Sequence, residues 1–329
     1  MTDSSILTWL LEGDPAIRWQ TLRDLVEADE TVVQAERQQV ALQGWGAKLL
    51  SYQEPSGLWA GGLYTPKWTS TAYTMLLLRQ LGLPPDHPQA LKACQLLLDK
   101  GFYRDGGINY FASLKHSETC VTGMVLSILA YFAFEDERLD RSVEHLLEQQ
   151  MPDGGWNCQS YNGATHSSFH TTISVLEGLA EYDQGHSSAR VLESQRRGVE
   201  FLLCHRLFRS HRTGAVVDPR MTRFSFPPRW HYDVMRALDY LQARRFPYNE
   251  RMSDAIVLIQ QKQRANGTWP LQNRHPGRTF FEMEEVGQPS RWNTLRALRI
   301  LKWFKVKGVS RSLGGYASLS NADRGEKLP

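Results

Sequence analysis

Two pairs of residues spaced four apart open two helical segments, His116 with Cys120 and His166 with His170. A four-residue step returns to one face of a helix, so each pair presents its donors side by side. Aligning the two segments on Leu129 and Leu179 brings Cys120 level with His170, one repeat later. Lys115 and Glu118 lie beside the first pair. If adjacent helices carry these groups, thiolate, imidazole and carboxylate at this spacing suit tetrahedral zinc. The same residues also read as the polar lining of a helix end, with Cys120 as buried filler. Cys94 and Cys204 fall on apolar faces of outer helices and read as packing, while Cys158 follows a Gly/Trp turn and carries no assigned role.

A second chemistry, protonation of a carbon substrate, needs a carboxyl group whose pKa is raised by burial or hydrogen bonding. The candidates are Asp233, in the run His231-Tyr232-Asp233, and the cluster Glu282-Met283-Glu284-Glu285. Asp233 reads equally as a helix-start carboxylate favoured by the helix dipole. Trp68, Tyr73, Phe169, Trp230 and Trp292 fall near the starts of apolar helices. Their ring faces suit an isoprenoid chain or a carbocation, or else they plug the interior as core. Arg18, Arg229 and Arg291 each precede a tryptophan. At least two of them read as ion-pair partners of Glu282, Glu284 or Asp233, and the alternative is a site for an anionic head group.

The elements that must position these groups follow from internal repetition. The spacing Q-x-x-x-G-x-W occurs at Gln53–Gly57–Trp59, Gln150–Gly154–Trp156 and Gln263–Gly267–Trp269. Weaker copies stand at Asp105-Gly106-Gly107 and Arg212-Thr213-Gly214. A second signature, Arg18-Trp19-Gln20-Thr21-Leu22-Arg23, returns as Arg291-Trp292-Asn293-Thr294-Leu295-Arg296, with a looser copy at Arg229-Trp230-His231. Segments 30–50, 86–100, 135–150, 187–205 and 248–263 mix polar and apolar residues at helical spacing, as solvent-facing helices do. Segments 14–27, 67–83, 116–133, 167–182, 230–244 and 290–305 carry apolar and small residues all round, as buried helices do. The pattern predicts an all-α (α/α)6 toroid, an inner ring of helices inside an outer one, forming a single domain over 1–306. In the turn motif, glycine permits the bend, while the indole and the glutamine amide tie it to a neighbouring helix end. Residues 307–329, rich in Ser, Gly and charge, read as a flexible tail.

The three turn motifs and the helical pairs around them resemble the terpenoid cyclase and protein prenyltransferase β-subunit superfamily, over about residues 14–305. The resemblance implies a toroid with a central apolar cavity and functional groups near one end of the inner helices. It also implies a zinc assignment. Glu118-Thr119-Cys120 matches the Asp-x-Cys ligand pair of the prenyltransferases, with Glu for Asp, and Phe169-His170-Thr171-Thr172 matches their ligand histidine. Zinc would thus sit on Glu118, Cys120 and His170, with His166 as a further donor and an open position for substrate thiolate or water. Lys115 falls where the family has a diphosphate-contacting lysine and, with Asp233, is the catalytic candidate. Trp68, Tyr73, His116, Phe169, Trp230, His231, Arg291 and Trp292 are the implied substrate-binding set. Ala112, Val121 and the stretch Thr69-Ser70-Thr71-Ala72-Tyr73 depart from the family's diphosphate clamp, which argues against protein prenylation itself. The Asp-x-Asp-Asp acid of class II cyclases is not spelled.

Three functions remain in play: a zinc-dependent isoprenoid-handling enzyme, a metal-free cyclase or isomerase using Asp233 or Glu282/Glu284 as acid, and a lipid-binding or scaffold toroid. The expected partner in each case is an apolar small molecule of isoprenoid type, and no partner subunit follows from the chain. With 38 Lys+Arg against 35 Asp+Glu in 329 residues, nothing marks a nucleic-acid partner. The opening apolar stretch stops at Glu12 without a basic segment before it, and no apolar run is long enough to span a bilayer. Four scattered cysteines fit a reducing cytoplasm.

Overall fold

The computed structural model describes residues 4–314, with side chains described as far as Lys305. Helices dominate it: α1 (Ser4–Leu11), α2 (Pro15–Thr21), α3 (Glu30–Leu42), α4 (Gly44–Ser51), α5 (Thr71–Leu81), α6 (Pro88–Gly101), α7 (Thr119–Tyr131), α8 (Arg138–Glu148), α9 (Phe169–Gly185), α10 (Ala189–Cys204), α11 (Val234–Ala243), α12 (Ser253–Gln261) and α13 (Arg291–Gly314). The last turns of α2 widen into a π-helical stretch, Leu22–Val26. Extended pairing is confined to Trp269–Pro270 against Pro289–Ser290 and a few isolated bridges.

The two classes of helix separate by burial pattern. On α8, Leu139, Val143 and Leu146 are buried while Asp140, Arg141 and Glu144 face solvent, the one-sided stripe of an outer helix. On α7 every residue from Val121 to Leu129 is buried, and on α5 every residue from Thr71 to Leu78. The inner ring runs α2, α5, α7, α9, α11, α13, and it closes. Trp19 Nε1 donates to Leu81 O at 2.8 Å between α2 and α5, and Arg299 Nη1 donates to Gln20 Oε1 at 3.0 Å between α13 and α2. The tightest approach is α7 on α9, where a Cβ added at Gly178 would lie 2.4 Å from Gly123 O. The architecture is the double ring expected from the repeats. Its sixth outer member is α1, which the periodicity reading left out, and 30–50 divides at Gln43 into α3 and α4. Helix α13 runs past Lys307 to Gly314, so the chain is helical where a flexible tail was expected to start; residues 315–329 lie outside the described residues.

Each turn motif does the work its residue types suggest. Trp59, Trp156 and Trp269 are fully buried, and each Nε1 donates at 2.7 Å to a carbonyl ten residues back, at Leu49, Leu146 and Ile259. Gln53 and Gln150 each donate to the turn glycine's carbonyl and to the next outer helix, at Gln89 O and Ser194 O. The glycines at 57, 154 and 267 have φ of 94°, 95° and 80°, a region where a Cβ is penalised. The inner helix completes the device. The backbone N–H groups of Trp59, Ile108, Trp156 and Trp269 donate to the hydroxyls of Thr71, Thr122, Thr172 and Thr294 at 2.9 to 3.1 Å. Sequence reading saw the first three of those threonines only as small residues; they seat each turn on the start of its inner helix.

Candidate functional site

The turns set the inner helix starts side by side at one end of the ring, and the segments leading into α5, α7, α9 and α11 place their side chains there. Lys67 Nζ lies 5.5 to 5.8 Å from the ring centres of Tyr64, Trp68 and Trp230, within cation–π range. Trp230 stacks on His231 at 3.7 Å, and His231 stacks on His275 at 3.8 Å. His170 meets Trp230 edge-on at 5.1 Å. Tyr73 packs edge-on to Trp68 at 4.8 Å and shares a hydroxyl hydrogen bond of 2.8 Å with Tyr64.

Burial, reinforced by neighbouring positive charge, keeps the three imidazoles neutral. It lowers His170 to about 4, helped by Arg236, and His231 to about 3, helped by His275 and His170. His275 falls to about 4 through burial and then Arg229 and Arg236. His170 Nδ1 accepts the Tyr232 N–H at 2.8 Å, which places the ring proton on Nε2. His275 Nε2 is 3.0 Å from Ser225 Oγ, which is itself 3.1 Å from Asp233 Oδ2. With the hydroxyl donating to Asp233, His275 donates from Nε2 to Ser225. Glu118 lies in the same neighbourhood. Burial raises its carboxyl pKa, against the opposing pull of Lys67 and His116, and its buried Oε2 has no hydrogen-bond partner among the described residues. A half-buried carboxyl group of this kind is disposed to hold a proton.

Several expected roles change. Among the described residues, no group of three or more His, Cys, Asp or Glu is placed to hold a metal ion. His170 Nδ1 is engaged by Tyr232, the Cys120 N–H donates to the Cys158 sulfur, and His166 is exposed. Glu118, Cys120 and His170 are thus not gathered into a zinc cage among the described residues. Asp233 is the N-cap of α11. Its Oδ1 accepts the Arg236 N–H at 2.8 Å and its Oδ2 accepts the Ser225 N–H at 3.2 Å, the helix-start arrangement rather than a free acid. Glu284 is likewise occupied, by Ser290 Oγ at 2.5 Å and the Trp292 N–H at 3.2 Å. Lys115 is exposed, with Nζ 3.4 Å from Ala112 O, and His116 stacks on Tyr161 at 3.8 Å. Phe169 is core, packed on Phe201 and Tyr232. Trp292 stacks on Phe226 at 4.0 Å, and Arg291 turns outward to Trp9, donating to its carbonyl. Of the three arginines before tryptophans, Arg18 forms an ion pair, with Glu36, while Arg229 lies over the Trp68 ring at 5.5 Å. The expected pairs with Glu282, Glu284 and Asp233 do not form among the described residues.

Trp68, Tyr73, Trp230 and His231 lie in one cluster. Sequence reasoning missed Tyr64, Lys67 and His275. The first two belong to the segment before α5 that corresponds to Lys115 and Glu118 before α7, so repeat alignment could have found them. His275 lies between α12 and α13 in a stretch without repeat signal.

The lumen is of mixed character. A cavity of about 370 Å³ is floored by Phe226 and Trp292 and walled by Glu177, Arg236, Asp239 and Arg296. Arg236 pairs with Glu177 at 2.7 Å, Arg79 with Glu177 and Glu181 at 3.2 and 2.6 Å, and Asp239 with Arg296 and Arg299 at 3.2 and 2.5 Å. It adjoins a wider opening of about 1200 Å³ at the C-terminal ends of the inner helices, opposite the histidine cluster. The resemblance implied a central apolar cavity; inner-helix positions facing the axis carry ion pairs instead. Beside Trp68, Arg229 and His275 there is a separate cavity of about 40 Å³.

No family model matches the chain, and no curated protein matches it. Among solved structures it is similar to the apo form of the type II terpene cyclase MstE from Scytonema, at 18% identity and a TM-score of 0.47, over 93% of this chain and 97% of that one. A variant of that enzyme in complex with geranylgeranyl dihydroxybenzoate is similar at 17% identity and a TM-score of 0.45, over 89% and 87% of the two chains. A protein from Actinoplanes is similar at 15% identity and 0.45, over 88% and 90%. The likeness is remote.

Proposed function

We propose that the chain is an enzyme that performs metal-free proton transfer on a small unsaturated substrate of isoprenoid type at the N-terminal mouth of the inner ring. The observation that carries this reading is Glu118, a half-buried carboxyl with a raised pKa and an unpartnered oxygen, beside Lys67, Tyr64 and Tyr73. Glu118 supplies the proton. The faces of Trp68 and Trp230 stabilise the positive charge that develops on carbon. The neutral imidazole of His231 is the base: weak as burial leaves it, it suffices for a proton as acidic as one beside a carbocation, whereas the acceptor nitrogen of His170 is taken by Tyr232. Geranylgeranyl-bearing substrates, of the class held by one of the structural neighbours, are the first probes. With such a probe, Glu118→Gln is expected to lower kcat by about 10²- to 10⁴-fold, the usual contribution of a general acid, while the thermal melt is retained. An unchanged kcat would overturn the assignment. Stoichiometric zinc retained by the wild type and lost in Cys120→Ala would return the reading to a metal enzyme.

The scaffold reading has one observation in its favour. The cavity beside Trp68 and His275 is only about 40 Å³, and ion pairs cross the lumen where a chain would have to enter. Binding of polyprenes without turnover, equally tight in wild type and Glu118→Gln, would support it.

A further inference from the structure

Cys158 takes no part in the proton transfer, and its surroundings are distinctive. It sits two residues beyond Trp156, in the turn that the Thr172 hydroxyl seats on α9. Its Sγ accepts the backbone N–H of Cys120, in the first turn of α7, at 3.1 Å, and the hydroxyl of Thr171 at 3.4 Å. The two cysteines are thus held against each other, the sulfur of Cys158 resting on the backbone of Cys120. Both residues are partly exposed, whereas Cys94 is buried and Cys204 lies apart on α10. Two N–H and O–H donors aimed at one sulfur stabilise it as thiolate, and the neighbouring thiol is placed to resolve whatever forms there. The corresponding turns carry Gly61 and Leu271 at this position, so the pair is peculiar to one repeat.

We propose that Cys158 and Cys120 form a peroxide-oxidisable dithiol site, with Cys158 the attacking sulfur and Cys120 the resolving one. In the first step the Cys158 thiolate attacks one oxygen of hydrogen peroxide. The O–O bond breaks, the departing hydroxide takes a proton to become water, and Cys158 becomes a sulfenic acid. In the second step the Cys120 sulfur attacks the Cys158 sulfur and gives up its proton, and the S–O bond breaks to release a second water. Two thiols have then lost two electrons to one peroxide, giving an intrachain disulfide that a dithiol reductant reverses by exchange. The bond would staple the start of α7 to the turn before α9, at the edge of the histidine and tryptophan cluster. The proposal is independent of the acid role given to Glu118.

The test treats the full chain with hydrogen peroxide, alkylates the remaining thiols and maps the peptides without reduction. The expected product is an intrachain Cys120–Cys158 link that dithiothreitol removes, with Cys94 still reduced. In Cys120→Ser, Cys158 is expected to stop at a sulfenic acid that dimedone traps. In Cys158→Ser, Cys120 is expected to oxidise about tenfold more slowly or less readily still. The wild-type map decides the matter even if a variant fails to fold. Three results would overturn the proposal: both cysteines still alkylatable once Cys204 has been consumed, Cys158 carried to a sulfinic acid while Cys120 stays free, or a link from either one to Cys204.

Discussion

His170, His231 and His275 are packed so that none of them carries charge near neutral pH. Their folded pKa values of about 4, 3 and 4 lie below the ordinary value for histidine, so the unfolded chain binds protons that the folded chain refuses. Stability therefore rises with pH across this window. It is fully present above the unfolded value near 6.5 and is lost as pH falls toward the folded values. Three imidazole resonances are expected not to titrate between pH 7 and 5 in an NMR titration, and the melting temperature is expected to drop steadily below pH 6.5. A triad titrating near 6.5 would mean that the cluster is open to water. Residue types and spacing singled out His170 and His231 but not their neutrality, which comes from Trp230, Trp68 and Arg236 packed around them. Nor could spacing foresee that Cys120 meets Cys158 rather than His170. The N–H of Cys120 reaches Cys158 across 38 positions of chain, and periodicity speaks only of one helix at a time.

At the scale of elements, the pairing of α7 with α9 is the most exacting contact in the ring. Gly123 and Gly178 let the two backbones approach, and a Cβ on Gly178 would sit 2.4 Å from the Gly123 carbonyl oxygen, backbone that has no side-chain freedom to yield. Gly178→Ala is expected to destabilise the fold by about 1–3 kcal/mol, as overpacking does, measured by denaturant unfolding. Gly163→Ala is no control, because its φ of 83° carries its own strain. Gly185 serves better: it meets nothing within 4 Å, and no positive φ is recorded there. The helix starts at which these elements present the candidate site were legible to within a few residues, because Gln, Gly and Trp mark each turn. The threonine that receives each turn was legible only as a small residue. Its hydroxyl matters through a partner 12 to 25 positions earlier.

The whole molecule is organised around an axis of paired charges. Burial alone would raise the Glu177 pKa, but Arg236 foremost, with Arg79 and Arg296, holds it below the usual carboxylate range. That stabilising contribution is present above the unfolded value and fades as pH falls through the folded one. Glu177→Ala would leave Arg236, with 4% of its side chain exposed, without its carboxylate. A loss of about 3–5 kcal/mol is expected at pH 7 by denaturant unfolding. A change within a few tenths would show that water already fills the lumen around these groups. Composition gave no sign of this axis, since balanced overall charge is compatible with pairs on the surface or along the centre. The partners stand 59 and 60 positions apart and meet only when the ring has formed.

Closure itself depends on α13. Arg299 reaches Gln20 and Asp24, and Lys302 reaches the carbonyl of Asp24, so the first inner helix is held by the last. During synthesis, α2 and α11 would wait with their seam-facing sides bare until α13 leaves the ribosome. The growing chain is then an open arc whose apolar flanks are free to find a neighbour's, the kind of exposure that leads larger proteins to misassemble. A chain interrupted between Gln261 and Arg291 would keep most of its helices and lose its ring.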